Sequence, residues 1–450
     1  MPLDRRRLII GSLTGAAALA APARAQTAPL SVYGLDAVQF GVRANVPGDQ
    51  SAKLQRAIDR AAQMRAPLML GPGLYRAGGL KLPAGAQLLG VRGATRIEFT
   101  RGPSLLSSEQ ADNVTLSGLT LEGGGRNLPE DSGLVHLGKV RALRITDCEI
   151  LHAGGNAIAL AECDGEVSGS TIVSAADNAL FCIDSGGMVI SSNVIRGSGN
   201  GGIRVWQSGK RRDGSIVADN RIEDTAARAG GSGQNGNAIN VFRAGNVIVR
   251  NNVIRKAAFS AIRGTAASDI QIVGNNCEGL DEVAIYCEFE FENAVIANNV
   301  VTEAGSGISV TNFKEGGRLA VVHGNLVRHC RARIKGAAPN TEGVGISVEA
   351  DTAVTGNTIE DAETAGIAAG WGEYLRDVTV SGNVVRACGI SVAVSVAKGA
   401  GSAVIADNVL SKSKRGAILG MEWRNPVSGD LALAGAAHYP QLSIRGNQVS

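Results

Sequence analysis

The chain is poor in the residues that mark most catalytic and metal-binding folds. Only five histidines occur in 450 residues, and His136, His152, His323, His329 and His438 show no ligand spacing. Seven cysteines are present without a C-x-x-C pair, so no zinc pattern can be drawn from Cys and His together. There is no G-x-S-x-G elbow, phosphate-binding loop or EF-hand. The glycine-rich run 230–236 lacks the strand, the Lys and the Ser or Thr that phosphate cradling needs. Charge of one sign is not concentrated either. Lys plus Arg number 44 and Asp plus Glu 41, a net charge of +3. The basic clusters Lys210-Arg211-Arg212 and 412–415 are short and read as solvated turns, which argues against a nucleic-acid face. Aromatics are few, and prolines number 12 against 60 glycines. After residue 66 no helical periodicity is found, which excludes crossover helices between strands.

The first 25 residues stand apart. Arg5, Arg6 and Arg7 precede a modestly apolar run, 8–21, and Ala23-Arg24-Ala25 offers small residues for a signal peptidase. The paired Arg5 and Arg6 ahead of a weakly hydrophobic stretch resemble a twin-arginine export signal, with Asp4 where Ser or Thr is usual. An ordinary secretory signal is the alternative. The mature chain is expected to begin near Gln26 and to be periplasmic or secreted, with no membrane span. Twin-arginine substrates fold before export, where thiols stay reduced. Cys148, Cys163, Cys182, Cys277, Cys287, Cys330 and Cys388 are therefore read as small buried hydrophobes.

The strongest feature is self-similarity. One unit recurs: apolar, any, apolar, two residues, Asn, any, apolar. It is plain in Val378-Thr379-Val380-Ser381-Gly382-Asn383-Val384-Val385. Copies centre on Asn193, Asn220, Asn252, Asn275, Asn299, Asn325, Asn357, Asn383, Asn408 and Asn447. Three earlier copies carry Leu119, Cys148 and Ser170 at the same place, making thirteen. Asn275 is preferred to Asn276, which would turn Glu278 inward. About ten residues beyond each Asn lies a second alternating strand, such as Ile203-Arg204-Val205 or Ile308-Ser309-Val310. Short strands, Gly and Asn turns and no crossover helices predict an all-β fold, a right-handed parallel β-helix (a solenoid) of about 12–13 coils. Stacked coils would supply the core that no single coil can bury. The asparagines are expected to form an internal ladder and to accept the left-handed turns between strands. Ser51 reads as the N-cap of a capping helix, about 51–65, with Leu54, Ala57, Ile58, Ala61 and Met64 on one face. The organisation is thus 1–25 export signal, 26–100 cap and first coils, and 101–450 repeats. Segment 424–440 lacks the repeat, so it would cover the last coils or meet another copy.

Phe40-Gly41, the helix around Leu54-Gln55-Arg56-Ala57-Ile58-Asp59, Gly71-Pro72-Gly73-Leu74-Tyr75-Arg76 and Leu88-Leu89-Gly90 resemble the opening of pectate-lyase-like β-helix proteins. The Asp-rich turn usual there is reduced to Val46-Pro47-Gly48-Asp49-Gln50. With the arginine signal and the Asn repeats, the whole chain resembles the twin-arginine-translocated repetitive proteins, a group without an established activity. The resemblance implies a fold and hardly any chemistry.

Chemistry is sought on the outer face of the second strand. Its first outward column reads Ala159, Phe181, Arg204, Asn240, Arg263, Tyr286, Ser309, Ser347, Ala368, Leu419. The next reads Ala161, Ile183, Trp206, Phe242, Thr265, Glu288, Thr311, Glu349, Gly370, Met421. Glu288 and Glu349 are candidate catalytic carboxylates two coils apart, with Arg263 as the partner of a substrate carboxylate. Arg204, Trp206, Asn240, Phe242, Tyr286, Glu290, Asp351 and Trp371 are candidate substrate-binding residues. Calcium is a weak option at Glu288, Glu290, Glu349 or Asp351, and no other cofactor or metal is implied. Two coils lengthen before this strand, at 226–237 and 329–344, and insertions on one side mark a binding face. The expected partners are a polysaccharide or cell-envelope glycan, bound or scaffolded on the outer sheet, and the twin-arginine machinery. The alternative is a polysaccharide lyase or an inverting glycoside hydrolase. The sequence assigns no oligomeric state.

Overall fold

The computed structural model describes residues 34–231, 233–332 and 342–450. The export signal and its Arg5 and Arg6 lie outside them. Each coil contributes three short strands, as in Ile216–Ala218, Arg221–Thr225 and Asn237–Gly245. Each strand pairs in parallel with its counterparts one coil before and one after: Val189 with Ile216, and Ile216 with Ile248. Sixteen strands stack in one sheet, from Leu35–Asp36 to Leu442–Arg445. Three of them, Leu35–Asp36, Leu68–Met69 and Gln87–Leu89, precede the repeats. The other thirteen, beginning at Thr115–Ser117, are the thirteen copies read from the sequence. The remaining two faces join in one sheet, because strands such as Asn276–Glu288 run around a corner without a break.

Alternation explains the interior. Along Val378–Ser381, Val378 and Val380 are buried while Thr379 and Ser381 are half-buried on the outside. One continuous cluster of Ile, Val, Leu and Ala runs the length of the rod. The asparagine ladder forms as expected. The Nδ2 of Asn299 donates to the Oδ1 of Asn325 at 3.0 Å and to the carbonyl of Ile272 at 2.9 Å. The backbone N–H of Asn299 also donates to Asn325 Oδ1, at 2.9 Å. The same pattern runs unbroken from Asn193 to Asn447 and includes Asn275 rather than Asn276.

One expectation about the ladder needs correction. The left-handed backbone falls on the residue before each ladder Asn, as at Ser192, Asp219, Asn251, Asn298 and Asp407. Glycine takes the same position at Gly274, Gly324, Gly356, Gly382 and Gly446. Turning and bonding are therefore divided between neighbours, and the buried Asn is kept for its amide.

The cap helix spans Ser51–Gln63 and buries Leu54, Ala57, Ile58 and Ala61. Met64, placed on that face from the sequence, is 50% exposed because the helix has already ended. Ser51 is the first helical residue, not the cap. Asp49 accepts its N–H at 3.0 Å, and the Ser51 hydroxyl accepts from the Gly78 N–H at 2.9 Å. At the other end, Gly416–Glu422 pairs antiparallel with Asn425–Asp430. A short helix, Leu431–Ala434, then buries Leu431. The Asp430 carboxylate accepts the N–H groups of Ala417 at 2.7 Å and Ile418 at 3.1 Å. Segment 424–440 thus covers a sheet edge that would otherwise invite another chain.

Candidate functional site

The outward columns hold coil for coil. Arg204 lies beside Asn240, Asn240 beside Arg263, Arg263 beside Tyr286, Tyr286 beside Ser309, and Ser309 beside Ser347. The coil at Ile390, ambiguous in the sequence, places Ala393 between Ala368 and Leu419. Side-chain size falls abruptly along this run. Tyr286 is followed by Ser309, Ser347, Ala368 and Ala393, so the face sinks.

A groove of about 400 Å³ lies in that depression. Ser347, Ala368 and Ala393 line its floor, and Tyr286 stands at one end. Trp371 and Trp423 line it as well, their rings edge to face with centroids 5.4 Å apart. Trp423 comes from the C-terminal hairpin and packs where a side chain on Gly372 would be, and Gly372 has φ 57°. Only glycine suits that position. Glu342 and Arg424 meet as an ion pair at 2.9 Å, and both line the groove.

Glu349 is the titratable centre of this groove. Its carboxylate accepts the Phe313 N–H at 2.7 Å. Burial pushes its pKa up to about 7, outweighing the Phe313 and Asn312 N–H groups that favour the anion, and the Glu315 charge adds to the rise. Beside it, the buried Thr311 Oγ1 and Asn312 Oδ1 have no hydrogen-bond partner among the described residues. Buried polar atoms left unpaired are uncommon and mark places where water or a ligand belongs.

Glu288 occupies the same column but a different environment. The Arg263 Nε donates to its Oε1 at 2.7 Å and the Nη2 to its Oε2 at 2.9 Å. Thr265 Oγ1 donates at 2.8 Å, and Arg263 Nη1 also reaches Glu282 at 3.0 Å. The guanidinium lies 4.8 Å from the Tyr286 ring centre. Although burial opposes it, the Glu288 charge holds the Arg263 pKa above its ordinary value. The expected free pair of carboxylates is therefore not formed: Glu288 leans back along the rod to Arg263, and Glu349 stands without it.

Two further expectations meet a similar correction. Asp351 is clamped by Arg376 at 2.8 and 2.6 Å, which holds its pKa below the usual carboxylate range. Glu290 is exposed in a left-handed turn, with Lys210 Nζ 4.0 Å from its carboxylate. Among the described residues no group of three or more His, Cys, Asp or Glu is placed to hold a metal ion. The four carboxylates considered for calcium are thus not brought together.

Nearer the N-terminal end of the same face, Phe181, Trp206 and Phe242 form an aromatic row with ring centres 5.5 Å apart at each step. Trp206 Nε1 donates to Asn240 Oδ1 at 3.1 Å, and Asn240 Nδ2 donates to the Gly233 carbonyl at 2.9 Å. The insertion at 226–237 thus meets Arg204 and Asn240, beside this row. The second insertion brings Glu342 and Val344 to the groove, and its residues 333–341 lie outside the described ones.

Thr311 stands in the second outward column, and Asn312 and Trp423 follow just beyond it, where Trp423 joins Trp371 as an aromatic face suited to sugar rings; Glu342, in the insertion, was not singled out by the columns. The signal for the groove was present in the run of small residues at Ser347 and Ala368, which lowers the floor.

No described helix is long and apolar enough to cross a membrane. All seven cysteines are buried free thiols. Burial raises the thiols of Cys277, Cys287 and Cys330 to about 12.

Comparison with known proteins gives the architecture and little more. No curated protein matches the sequence. Gene product 12 of bacteriophage phi29 superposes with TM-score 0.53 at 14% identity, over 92% of this chain and 66% of that one. The catalytic unit of an α-1,3-glucanase from Streptomyces thermodiastaticus gives 0.50 at 15% identity, over 93% and 68%. The A-module of a mannuronan C-5 epimerase from Azotobacter vinelandii gives 0.48 at 16% identity, over 92% and 99%. The model of the right-handed β-helix region matches residues 95–222, 156–327 and 211–376. These matches cover more than half of a chain whose strands stack in the same way, and the chain belongs to the right-handed β-helix family.

Proposed function

We propose that the chain is an exported glycan-binding protein that seats a segment of polysaccharide in the groove beside Glu349. The observation that carries this reading is the groove itself. Its volume, about 400 Å³, is that of a small-ligand site. Trp371 and Trp423 offer aromatic faces to the apolar faces of sugar rings. Thr311 and Asn312 add polar side chains to the groove's lining. Glu349, largely protonated below pH 7, adds a donor. The α-1,3-glucanase of similar architecture acts on a polysaccharide, which fits the reading without carrying it.

Export through the twin-arginine route, to the periplasm or beyond, belongs to the same proposal. It rests on Arg5, Arg6 and the apolar run that follows. Seven buried, unpaired thiols suit a chain that folds in a reducing compartment first. The likeness to the twin-arginine-translocated repetitive proteins is part of this reading.

A second reading, a polysaccharide hydrolase or lyase, is favoured by one observation: a carboxyl group of pKa about 7 in a groove is matched to proton transfer near neutral pH. In that reading Glu349 is the acid. The inverting arrangement with Glu288 loses its base, because Arg263 already holds that carboxylate.

Affinity electrophoresis through gels containing neutral or acidic polysaccharides tests the proposal, with release of reducing ends and of unsaturated uronates followed in parallel. The expected result is retardation by at least one polysaccharide, weakened at least about tenfold in Trp371→Ala. Product formed by the native protein and lost in Glu349→Gln would move the assignment to the second reading. Unretarded migration through every gel would overturn the proposal.

A further inference from the structure

Two arginines stand in the same outward column, both buried, with opposite surroundings. Arg263 is neutralised twice over, by Glu288 at 2.7 Å and by Glu282 at 3.0 Å. Arg204 is only 7% exposed and has no carboxylate within ion-pair distance among the described residues. Asp177 and Asp131 act on it only through space. Among the described residues its single hydrogen bond is from Nη2 to Asn235 Oδ1 at 2.6 Å, and its buried Nε has no partner. The guanidinium lies 4.9 Å from the centre of the Trp206 ring. A cation–π contact offsets part of the desolvation of a cation but does not supply its counter-charge. Burying a guanidinium without an anion is costly, and the cost is recovered when a ligand brings the anion.

The surroundings say what kind of ligand. Trp206 is half-exposed, held in orientation by Asn240 and flanked by Phe181 and Phe242 at 5.5 Å. Arg243 lies 4.7 Å from the Phe242 ring centre. An aromatic row beside an unneutralised guanidinium suits a ring with one apolar face and an acidic substituent. The row shares the outer face of Glu349 and lies several coils towards the N-terminal end. A chain laid along the rod would meet both.

We infer that Arg204, Trp206 and Phe242 form a second glycan subsite that takes the anionic substituent, carboxylate or sulfate, of a charged sugar. This rests on the reading of the outer face as a glycan-binding surface, and it names the class of glycan. The insertion at 226–237 serves the subsite by presenting Asn235 to the guanidinium and Gly233 to Asn240.

The test is isothermal titration of the purified protein with three defined polymers: polygalacturonate for carboxylate, dextran sulfate for sulfate and dextran as the neutral arm. Arg204→Gln, Arg204→Lys, Trp206→Leu and Trp371→Ala are compared with the native protein, and each is melted without glycan. The expected result is at least tenfold tighter binding of one anionic polymer than of dextran, and which polymer binds tells carboxylate from sulfate. Arg204→Gln should lose about tenfold for that polymer, Arg204→Lys less, and Trp206→Leu should weaken it too. Without ligand, Arg204→Gln should melt no lower than the native protein, since it removes a buried charge that lacks a partner. Equal affinity in the native protein and Arg204→Gln would overturn the inference, as would a ligand-free Arg204→Gln that melts well below it. Binding of dextran alone, sensitive to Trp371→Ala, would overturn this inference and leave the groove reading standing. No binding of any polymer would overturn both.

Discussion

Glu288 and Glu349 show how one column of a sheet gives the same residue two chemistries. Glu288 is met by a fork of charge-assisted hydrogen bonds from Arg263. Glu349 receives backbone N–H groups alone among the described residues, and burial lifts its pKa to about 7 from the ordinary 4.5. The sign of the linkage follows. Between those two values the folded state keeps a proton that the unfolded state has released. Stability is therefore greatest below the lower value and falls as pH rises towards the upper one. The loss amounts to about 3 kcal/mol once both states are ionised. Glu349→Gln should remove this slope and be relatively more stable above pH 7, as read from urea unfolding at a series of pH values. Parallel pH profiles for the two proteins would mean that Glu349 is not a buried acid.

At the scale of the element, the turn between the first and second strands is the unit that repeats. Its left-handed residue and its ladder residue are separate positions, which is why Gly, Ser, Asp and Asn alternate at the first while Asn holds the second. Asn299 accepts from the Asn275 N–H at 2.9 Å and from its Nδ2 at 3.0 Å, and itself donates onward to Ile272 and Asn325. Asn299→Ala would leave buried groups unpaired on both sides, at a cost of about 2–4 kcal/mol. Asn447 ends the ladder, half-buried, and its replacement by Ala should cost less than half as much. The shift of the urea midpoint reads both. Equal shifts would show that the ladder does not act through burial. The antiparallel hairpin at Asn425–Asp430 ends the stack by another means, with the Asp430 carboxylate on the edge N–H groups of Ala417 and Ile418.

Across the whole molecule, the coil pattern was legible because a period-2 alternation and a fixed Asn position leave one way to stack. Thirteen copies became thirteen strands, and the outward columns kept their order. Interactions between outward residues were less legible. The lean of a side chain along the rod decides that Glu288 meets Arg263 rather than Glu349, and spacing within a strand carries no record of that lean. The groove was visible in part, as a run of small residues and as Trp371 and Trp423 just beyond the outward column, while the approach of Glu342 from the insertion left no mark in the columns.

All three tryptophans, Trp206, Trp371 and Trp423, lie on or beside the outer face. A Trp206→Phe protein therefore reports from the groove alone. The most direct test of glycan binding beside Glu349 is a fluorescence titration of that protein with the polysaccharide that retards it in gels. A saturable change in tryptophan emission, over the same concentrations that saturate retardation, is the predicted result. An emission spectrum that stays constant while the polysaccharide binds would place the glycan elsewhere on the rod and contradict the groove.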